Sequence, residues 1–390
     1  MSDAHPREGS VRVAFFDHSN ERGGAEMALA RVLRSEVPWS ATLVTPRRAS
    51  RETVFDALAP GVHHVEIGVA QPPLASRRGD RLAPLGAAAR IMSTVLALTR
   101  APELRAADVF VANTTRSGVY VALAARVLSK PFVLHLRDRV EPAAIGGLAT
   151  QLMRRIALPG AAAVVANSQA TLATTDGHLR TERAVVLPSA AGLEPSGGAA
   201  PIVRPTVQRV GMVARIDPWK GQELLIRAFA SVEELRSATL DFLGAPAFGH
   251  DAYVDDLRRL ATELGLQERV RFLGHVADVA QALQDLDICV QCSIRPEPLG
   301  QNVLQYLSSG RPTIVADEGG PSEWITHDVN GLKFRPRDER DLSAQLRLLA
   351  ADSERRARMS AEAQRTPGLL TDVEVAERLC DLVSDVARAS

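Results

Sequence analysis

Two stretches of the sequence place charged residues next to glycine where predicted strands end. In RPEPLGQNVLQYLSSG, Glu297 precedes Gly300, and an amphipathic helix is predicted from Gln301. A glycine lets the backbone approach a ligand closely, and the unpaired N–H groups of a first helical turn attract anions. We therefore predict that the N–H groups of Gln301, Asn302 and Val303 form a site suited to a diphosphate. The adjacent Glu297 carboxylate could bind sugar hydroxyls or stabilise positive charge on a sugar carbon.

The second stretch, VGMVARIDPWKG, places two cationic side chains after the first predicted strand of the carboxyl half. Arg215 and Lys220 could neutralise a phosphate from the side opposite the helix N-terminus. Lys220 is one of three lysines, with Lys130 and Lys333, among 46 lysine and arginine residues. An arginine and a lysine at this spacing are common by chance. The pattern indicates a phosphate site only because it occurs together with the Glu297 stretch.

The composition excludes several classes of function. Lysine and arginine number 46, as do aspartate and glutamate, so the net charge is zero and nucleic acid is not an expected partner. The chain lacks the glycine motifs of Rossmann dehydrogenases and P-loop enzymes, and it lacks G-x-S-x-G and H-E-x-x-H. Three cysteines are too few for a disulfide framework, and the sequence begins without an apolar signal segment. We therefore expect a cytoplasmic protein without membrane-spanning helices.

Short β-branched runs alternate with amphipathic segments along the chain, which predicts parallel α/β sheets. The stretch PSAAGLEPSGGAAPIVRP is rich in glycine and proline and is typical of a linker. We predict two tandem doubly wound, Rossmann-like domains facing across a cleft, with a ligand site outside the carboxyl ends of the strands. The predicted strands are 11–16, 41–44, 62–67, 109–112, 132–136 and 163–166, then 209–214, 240–243, 270–273, 288–291 and 313–316. Helices are predicted from about 25 and at 117–128, 222–235, 253–264, 276–283 and 301–309.

Several stretches together resemble one enzyme family. ARIDPWKG, FLGHVADV, RPEPLGQNVLQYLSSGRPTIV and EGGPSEWITHDVNGLKF look like the carboxyl domain of family 4 glycosyltransferases, which are retaining, nucleotide-sugar-dependent enzymes of the GT-B fold. With NERGGAEMAL and VLHLRDRVE, the resemblance covers almost the whole chain. It implies an acceptor-binding domain at 1–190, a linker at 191–205 and a donor-binding domain at 206–370. The segment 371–390 is expected to be a helix that packs back on the first domain.

The resemblance also implies roles for individual residues. In the family, the residues matching Arg215 and Lys220 bind the donor diphosphate, and the glutamate matching Glu297 contacts the donor sugar. The histidine matching His135, in HLRD, faces the donor sugar or the acceptor. These four residues are the expected catalytic residues. The expected donor-binding residues are Gly23, Gly24, Arg215, Lys220, His275, Val276, Glu297, Leu299, Gly300, Gln301, Asn302, Val303 and Gln305. The expected acceptor-binding residues are Asn113, His135 and Asp138.

One position departs from the family pattern. The family has a second glutamate eight positions after the first, and it usually holds the ribose hydroxyls; this chain has Gln305 there. An amide oxygen still accepts a hydrogen bond, but it carries no charge. The departure implies weaker or differently specified nucleotide binding.

These expectations combine into one function. The chain is predicted to move a sugar from a UDP- or GDP-linked donor to a small-molecule, lipid-linked or glycan acceptor, with retention and by front-face attack. No cofactor and no metal are expected, since cationic side chains and the helix dipole stabilise the leaving diphosphate. An epimerase or hydrolase of the same fold is an alternative. A second alternative is a non-catalytic nucleotide-sugar-binding subunit, and the missing second glutamate is the one sequence feature that favours it. In either case we expect a monomer or a homodimer.

A basic stretch raises the question of membrane contact. Arginines surround an apolar helical segment at 76–105, and some enzymes of this fold use such a helix on anionic membranes. Arginine is the usual cation of this chain, so a solvated face is the favoured interpretation. The arginines concerned are Arg77, Arg78, Arg81, Arg90, Arg100 and Arg105.

Overall fold

The computed structural model of the protein describes residues 10–21, 23–47, 53–68, 83–193, 203–246 and 249–389, without the side chains of 83–85. The chain divides into two compact units. The first comprises Met1–Ser189 and Leu370–Ser390, and the second comprises Ala190–Leu369. Most of the predicted linker, residues 194–202, lies outside the described residues.

The described part of the first unit forms a seven-stranded parallel sheet in the order β3-β2-β1-β4-β5-β6-β7. Its strands are β1 (Val11–Phe16), β2 (Trp39–Thr45), β3 (His63–Glu66), β4 (Val109–Ala112), β5 (Phe132–Leu136), β6 (Ala163–Ala166) and β7 (Ala184–Val186). Its helices are α1 (Gly24–Arg34), α2 (Ala83–Arg100), α3 (Pro102–Ala106), α4 (Thr115–Leu128), α5 (Pro142–Ile145), α6 (Gly147–Leu152), α7 (Leu158–Gly160), α8 (Gln169–Leu172) and, from the end of the chain, α16 (Asp372–Arg388). A π-helical segment, Met153–Ala157, joins α6 to α7.

The second unit forms a six-stranded parallel sheet over its described residues, in the order β10-β9-β8-β11-β12-β13. Its strands are β8 (Arg209–Val213), β9 (Thr239–Leu243), β10 (Val270–Phe272), β11 (Ile288–Gln291), β12 (Thr313–Ala316) and β13 (Leu332–Phe334). Its helices are α9 (Gln222–Ala230), α10 (Asp251–Glu263), α11 (Val279–Gln284), α12 (Gln301–Ser308), α13 (Gly319–Glu323), α14 (Glu339–Ala351) and α15 (Ser353–Ala363). The two parallel α/β units confirm the predicted fold class.

The central strands are apolar because both faces of each sheet are covered. Every residue of β4, β6, β11 and β12 is buried, and all of these residues except Gln291 and Thr313 are apolar, as expected for strands covered on both faces. Helix α16 packs against α1 and the central strands of the first unit. It begins with a Thr371–Glu374 capping box, and Arg31 of α1 lies 3.0 Å from Asp372.

Relative to the sequence predictions, the structure has two additional strands and two shifted helix boundaries. Strands β7 and β13 were not expected, because three residues are too few to show a period. The helix predicted at 222–235 ends at Ala230, and a separate 3₁₀ turn covers Glu233–Leu235. The helix predicted from 276 begins at Val279, where the Asp278 side chain caps it. None of the helices in the described ranges is long and apolar enough to cross a bilayer, and Arg77, Arg78 and Arg81 lie outside those ranges.

Candidate functional site

The strand order of the second unit identifies where a ligand would bind. Strand β8 pairs with β9 on one side and with β11 on the other. The strand order therefore runs outward from β8 in one direction through β9 and β10, and in the opposite direction from β11 onward. Open α/β sheets bind ligands outside the carboxyl ends of their strands at such a switch point. Arg215 and Lys220 follow β8, and Glu297 follows β11, so the predicted cations and the predicted carboxylate belong to these two strand ends.

Lys220 and Glu297 form a buried ion pair at this point. Nζ of Lys220 lies 2.9 Å from Oε1 of Glu297, and their side chains are 14% and 7% exposed. The Lys220 ammonium group also lies 4.1 Å from the centre of the Trp219 ring. The ammonium group is therefore fixed between a carboxylate and an aromatic face, which is favourable for a partly desolvated cation.

Two further side chains hold the same carboxylate oxygen. Gln291 donates from Nε2 to Oε1 of Glu297 over 3.1 Å, and the Ser293 hydroxyl also donates to Oε1. Burial raises the pKa of Glu297, but the Lys220 charge and the hydrogen bonds from Ser293, Lys220 and Gln291 outweigh burial and lower it below its ordinary value. Glu297 is therefore ionised at neutral pH, as a group that stabilises positive charge must be.

Arg215 lies beside this pair but is more exposed. Its guanidinium group lies 3.4 Å from the Asp217 carboxylate and 5.5 Å from the centre of the Trp219 ring. Asp217 is buried and caps the 3₁₀ turn Pro218–Lys220 through the Trp219 N–H group. This turn orients Arg215 and Lys220 toward one indole ring.

Gly221 permits the turn that carries Lys220. Its φ is +84°, and a Cβ atom there would lie 2.1 Å from the carbonyl oxygen of Cys292. The loop after β8 thus meets the backbone after β11 at a point where only glycine fits.

Helix α12 begins at Gln301, as the sequence predicts, and Gly300 is its N-cap residue. Gly300 has a φ of +79°, and a Cβ atom there would lie 2.7 Å from Cγ of Pro321. Gly319 and Gly320 pack just as closely on the loop before α12, and the Gly320 N–H group donates to the Glu297 carbonyl oxygen over 2.9 Å. The sequence motif EGGPSEW therefore supports the Glu297 backbone, a role that sequence reasoning did not assign.

One prediction for the N-terminus of α12, that the Val303 N–H group is unpaired, is wrong. The Val303 N–H group is not unpaired, because it donates to the Gly300 carbonyl oxygen over 2.9 Å. Asn302 is buried, and its side chain donates to the Val213 carbonyl oxygen of β8 over 3.1 Å. Gln301 donates from Nε2 to the carbonyl oxygens of Ala190 and Ala191. Among the predicted amides, this leaves the N–H groups of Gln301 and Asn302 for an anion.

The other predicted donor-binding residues lie at separate places in the second unit. Leu299 is buried, and Gln305 is half-buried one turn into α12. His275 is exposed after β10, and Val276 packs against a small apolar cluster that includes Leu283.

The switch point of the first unit carries a different cluster. Here β1 is followed by Asp17 and β4 by Asn113, and Nδ2 of Asn113 donates to Oδ2 of Asp17 over 2.6 Å. The side-chain oxygen Oδ1 of Asn113 accepts from Nε and Nη2 of Arg137, and Nη1 of Arg137 donates to the Ser189 hydroxyl. Burial lowers the pKa of Arg137 to about 10, while nearby carboxylates including Asp17 oppose this effect. A buried polar network therefore joins the ends of β1, β4 and β5.

Glu26 of α1 completes this cluster. Burial and then the charge of Asp17 raise the pKa of Glu26 to about 8, so this carboxyl group holds a proton at neutral pH. A Cβ atom on Gly23 would lie 2.1 Å from Oε2 of Glu26, so Gly23 makes room for this buried group. At Gly24 a Cβ atom would meet no atom within 4 Å.

Asp17, His18 and Glu26 place ligand atoms within 4.8 Å of one another, and no second group of this kind occurs in the described parts of the chain. Nδ1 of His18 lies 3.1 Å from the Thr114 hydroxyl, 3.3 Å from Asp17 and 3.6 Å from Glu26. Oδ1 of Asp17 accepts from the backbone N–H groups of His18 and Ser19. The three residues thus have partners within the protein.

Two predicted acceptor-binding residues, His135 and Asn113, are buried in the first unit. His135 lies inside β5 with 1% of its surface exposed; burial, and then the Arg137 charge, lower the pKa of its ring well below the usual value. Asn113 is fully buried, and its amide is occupied by Asp17, Ala25 and Arg137. Neither side chain faces an open surface. Asp138 is exposed after β5, and the Thr115 hydroxyl donates to it over 3.3 Å.

Sequence reasoning did not identify four titratable residues that cluster at the switch point of the first unit: Asp17, His18, Glu26 and Arg137. A usable signal was present, because Asp17 and Arg137 are charged residues placed directly after the apolar strands β1 and β5. Such residues meet at the carboxyl edge of a parallel sheet.

The geometry of the second unit agrees with a comparison of its sequence with known families. Residues 203–366 match the family described as glycosyl transferases group 1. These residues include Arg215, Lys220, Glu297 and all of α12. The group 1 pattern thus covers the candidate site of the second unit.

Curated relatives and solved structures extend this similarity. The chain is 30% identical over 166 residues to the putative glycosyltransferase EpsD of Bacillus subtilis, an alignment that covers 42% of each protein. The chain therefore spans less than half the length of this curated relative. It matches the crystal structure of Anabaena HepE in complex with UDP and glucose with a TM-score of 0.76 and 25% identity, over 96% of this chain and 100% of HepE. It also matches sucrose-phosphate synthase of Thermosynechococcus elongatus with a TM-score of 0.77, 18% identity and coverage of 97% and 100%, which shows the fold.

Proposed function

We propose that this protein is a glycosyltransferase that takes a sugar from a nucleoside diphosphate sugar and transfers it with retention. The observation that carries this proposal is the grouping of Lys220, Glu297 and Arg215 at the switch point of a unit with the group 1 pattern. HepE has been crystallised with UDP and glucose and with UDP-glucose, which supports a UDP-linked donor as the first to test.

The second unit would bind the donor. An ammonium group has three N–H bonds, so Lys220 can donate one to Glu297 and still donate to a phosphate oxygen. Arg215 supplies a second charge, and the N–H groups of Gln301 and Asn302 supply the helix terminus. These groups would stabilise the diphosphate as it leaves, without a metal ion.

The Glu297 carboxylate would act on the sugar. The bond between the anomeric carbon and the diphosphate oxygen breaks, and positive charge develops on that carbon. An acceptor hydroxyl attacks on the same face, and its proton moves to the departing phosphate oxygen. An ionised carboxylate close to the sugar stabilises this positive charge. Glu297 is ionised at neutral pH because the charge of Lys220 and the hydrogen bonds from Ser293, Lys220 and Gln291 lower its pKa.

The first unit would bind the acceptor, with the exposed Asp138 as its predicted contact. His135 and Asn113, the other two predicted contacts, are buried, so Asp138 is the first of the three to test. A cytoplasmic location and the acceptor class, whether small molecule, lipid-linked or glycan, stay predictions of the sequence.

The proposal is tested in two steps. Thermal-shift measurements with UDP, GDP, ADP and TDP identify the nucleotide, because a ligand that binds only the folded state raises the melting temperature. Donor sugars of that nucleotide are then incubated with and without candidate acceptors in EDTA, and the anomeric configuration of the product is read by proton NMR. Retained configuration in EDTA supports the proposal. Inversion, a requirement for metal, epimerisation of the donor alone, or no stabilisation by any nucleotide contradicts it.

A further inference from the structure

Two buried polar residues, Gln291 at the end of strand β11 and Ser293 two residues later, donate to the same atom. Gln291 is 2% exposed and Ser293 is 1% exposed, although the preceding residues of the strand are apolar. Burying a polar side chain costs free energy unless it is hydrogen-bonded. Both side chains meet this requirement by donating to Oε1 of Glu297.

The orientation of Gln291 is set by a neighbouring strand. Its amide oxygen accepts from the Ala316 N–H group at the end of β12 over 3.2 Å. The amide nitrogen therefore has to face Glu297, since oxygen and nitrogen occupy opposite sides of the amide group. The sheet itself thus fixes the direction of this donor.

The donors on Glu297 are distributed unevenly between its two oxygens. Lys220, Gln291 and Ser293 all donate to Oε1, and no side chain of the described residues donates to Oε2. The backbone of Glu297 is also fixed, because its carbonyl oxygen accepts from Gly320. A carboxylate has acceptor capacity on both oxygens, so Oε2 keeps its capacity for a ligand.

We propose that Gln291 and Ser293 are positioning residues that hold Glu297 through Oε1 and reserve Oε2 for a hydroxyl group of the donor sugar. The identity of this ligand rests on the proposed function. Holding one oxygen fixes the side-chain rotamer before the donor arrives, so less conformational entropy is lost on binding and in the transition state. The same donors keep Glu297 ionised.

The kinetic test uses Ser293→Ala, with Ser293→Thr as the variant that retains a hydroxyl. Loss of a hydrogen bond to a charged group should lower kcat about 10-fold, while the Kd for UDP changes less than about twofold. Ser293→Thr should recover most of the rate. In the Glu297→Gln background, Ser293→Ala should have almost no further effect, since residues that act through one group are not additive. Ser360→Ala is the matched control, because Ser360 is also buried in the second unit but donates to Gly310.

A second readout does not depend on activity. With carboxyl-¹³C glutamate in the protein, the Glu297 signal is identified by its absence in Glu297→Gln and titrated by NMR. Its midpoint should rise in Ser293→Ala and in Gln291→Met. An unmoved midpoint, or an equal loss of kcat in both Glu297 backgrounds, overturns the inference. If the wild-type protein turns over no nucleotide sugar, the proposed function and the assignment of Oε2 to a sugar fail, and the titration still decides whether the two residues hold Glu297.

Discussion

Nζ of Lys220 lies 2.9 Å from Oε1 of Glu297, which joins the chain segment after β8 to the segment after β11. In the first unit, Nδ2 of Asn113 lies 2.6 Å from Oδ2 of Asp17 and joins the segments after β4 and β1. Each pair bridges the switch point of its sheet. The Asn113–Asp17 pair is fully buried, and Arg137 also donates to Asn113. The Lys220–Glu297 pair retains donors and an acceptor oxygen for a ligand.

Removing the Lys220 ammonium group should affect turnover more than folding. Lys220→Ala should lower kcat/KM more than about 100-fold, because a preorganised charge at a leaving diphosphate is worth about 3 kcal/mol. Lys333→Ala removes a lysine that pairs with Asp317 at 3.4 Å in the same unit and is the matched control. Steady-state kinetics and melting temperatures of both variants test this. A Lys220→Ala rate within about fivefold of the wild type would show that Lys220 does not bind the diphosphate.

Glu297→Gln should separate turnover from nucleotide binding. The uncharged amide cannot stabilise positive charge on the sugar, so kcat should fall sharply. Affinity for UDP should stay the same or increase, because Lys220 loses its competing carboxylate. Calorimetry with UDP measures this directly. A parallel fall of affinity and rate would place Glu297 in the nucleotide site instead.

Gln305→Glu restores the charge that the family pattern has at this position. If residue 305 faces the ribose, the carboxylate should tighten nucleotide binding by about 1–2 kcal/mol, since hydrogen bonds to charged groups are stronger than neutral ones. Gln284→Glu, on the exposed surface of α11, controls for the change in net charge. Titration of both variants with the preferred nucleotide decides the matter. Unchanged affinity would mean that Gln305 does not face the ribose, and weaker affinity would mean that the donor needs the amide.

Gly221→Ala should disturb the candidate site through the backbone. The added Cβ atom would overlap the Cys292 carbonyl oxygen at 2.1 Å, in addition to the strain of a φ of +84°. Gly265→Ala has the strain alone, with a φ of +68° and no atom within 4 Å of the new Cβ. We expect the control to lose about 1–2 kcal/mol of stability and Gly221→Ala to lose more. Urea unfolding compares them, and equal losses would show that the backbone contact is unimportant.

The stability of the protein should depend on pH through Glu26. Its pKa of about 8 in the folded protein lies above the ordinary value of 4.5, so the folded state binds more protons than the unfolded state between these values. The stabilisation from this group is therefore full below pH 4.5 and is lost as pH rises through 8. The slope reaches about 1.4 kcal/mol per pH unit at most.

Urea unfolding of the wild type and of Glu26→Gln between about pH 5.5 and 8.5 measures this dependence. The variant cannot ionise, so its unfolding free energy should fall less with pH than that of the wild type. Glu21→Gln changes an exposed glutamate near α1 and should retain the wild-type slope. Identical slopes for all three proteins would mean that Glu26 is ionised in the folded state at neutral pH.

The sequence by itself determined the two α/β units and the segments that form the site of the second unit. Both follow from local information: apolar strands covered on both faces are continuous apolar runs, and the start of α12 is marked by Gly300. The sequence also located Lys220 and Glu297 in the segments that follow two strands, which is sufficient to place them at the carboxyl edge of a sheet.

The tertiary structure decided which side chains meet and which are buried. The pairing of Lys220 with Glu297 depends on β8 lying beside β11, and strand order is not encoded in the period of either strand. Likewise, the burial of His135 and the proton held by Glu26 depend on what packs around them, because residue type sets only the reference pKa, whereas desolvation and neighbouring charge set the shift from it. The asymmetric hold on Glu297 required the positions of three donors from two strand ends, which only the folded chain brings to one oxygen.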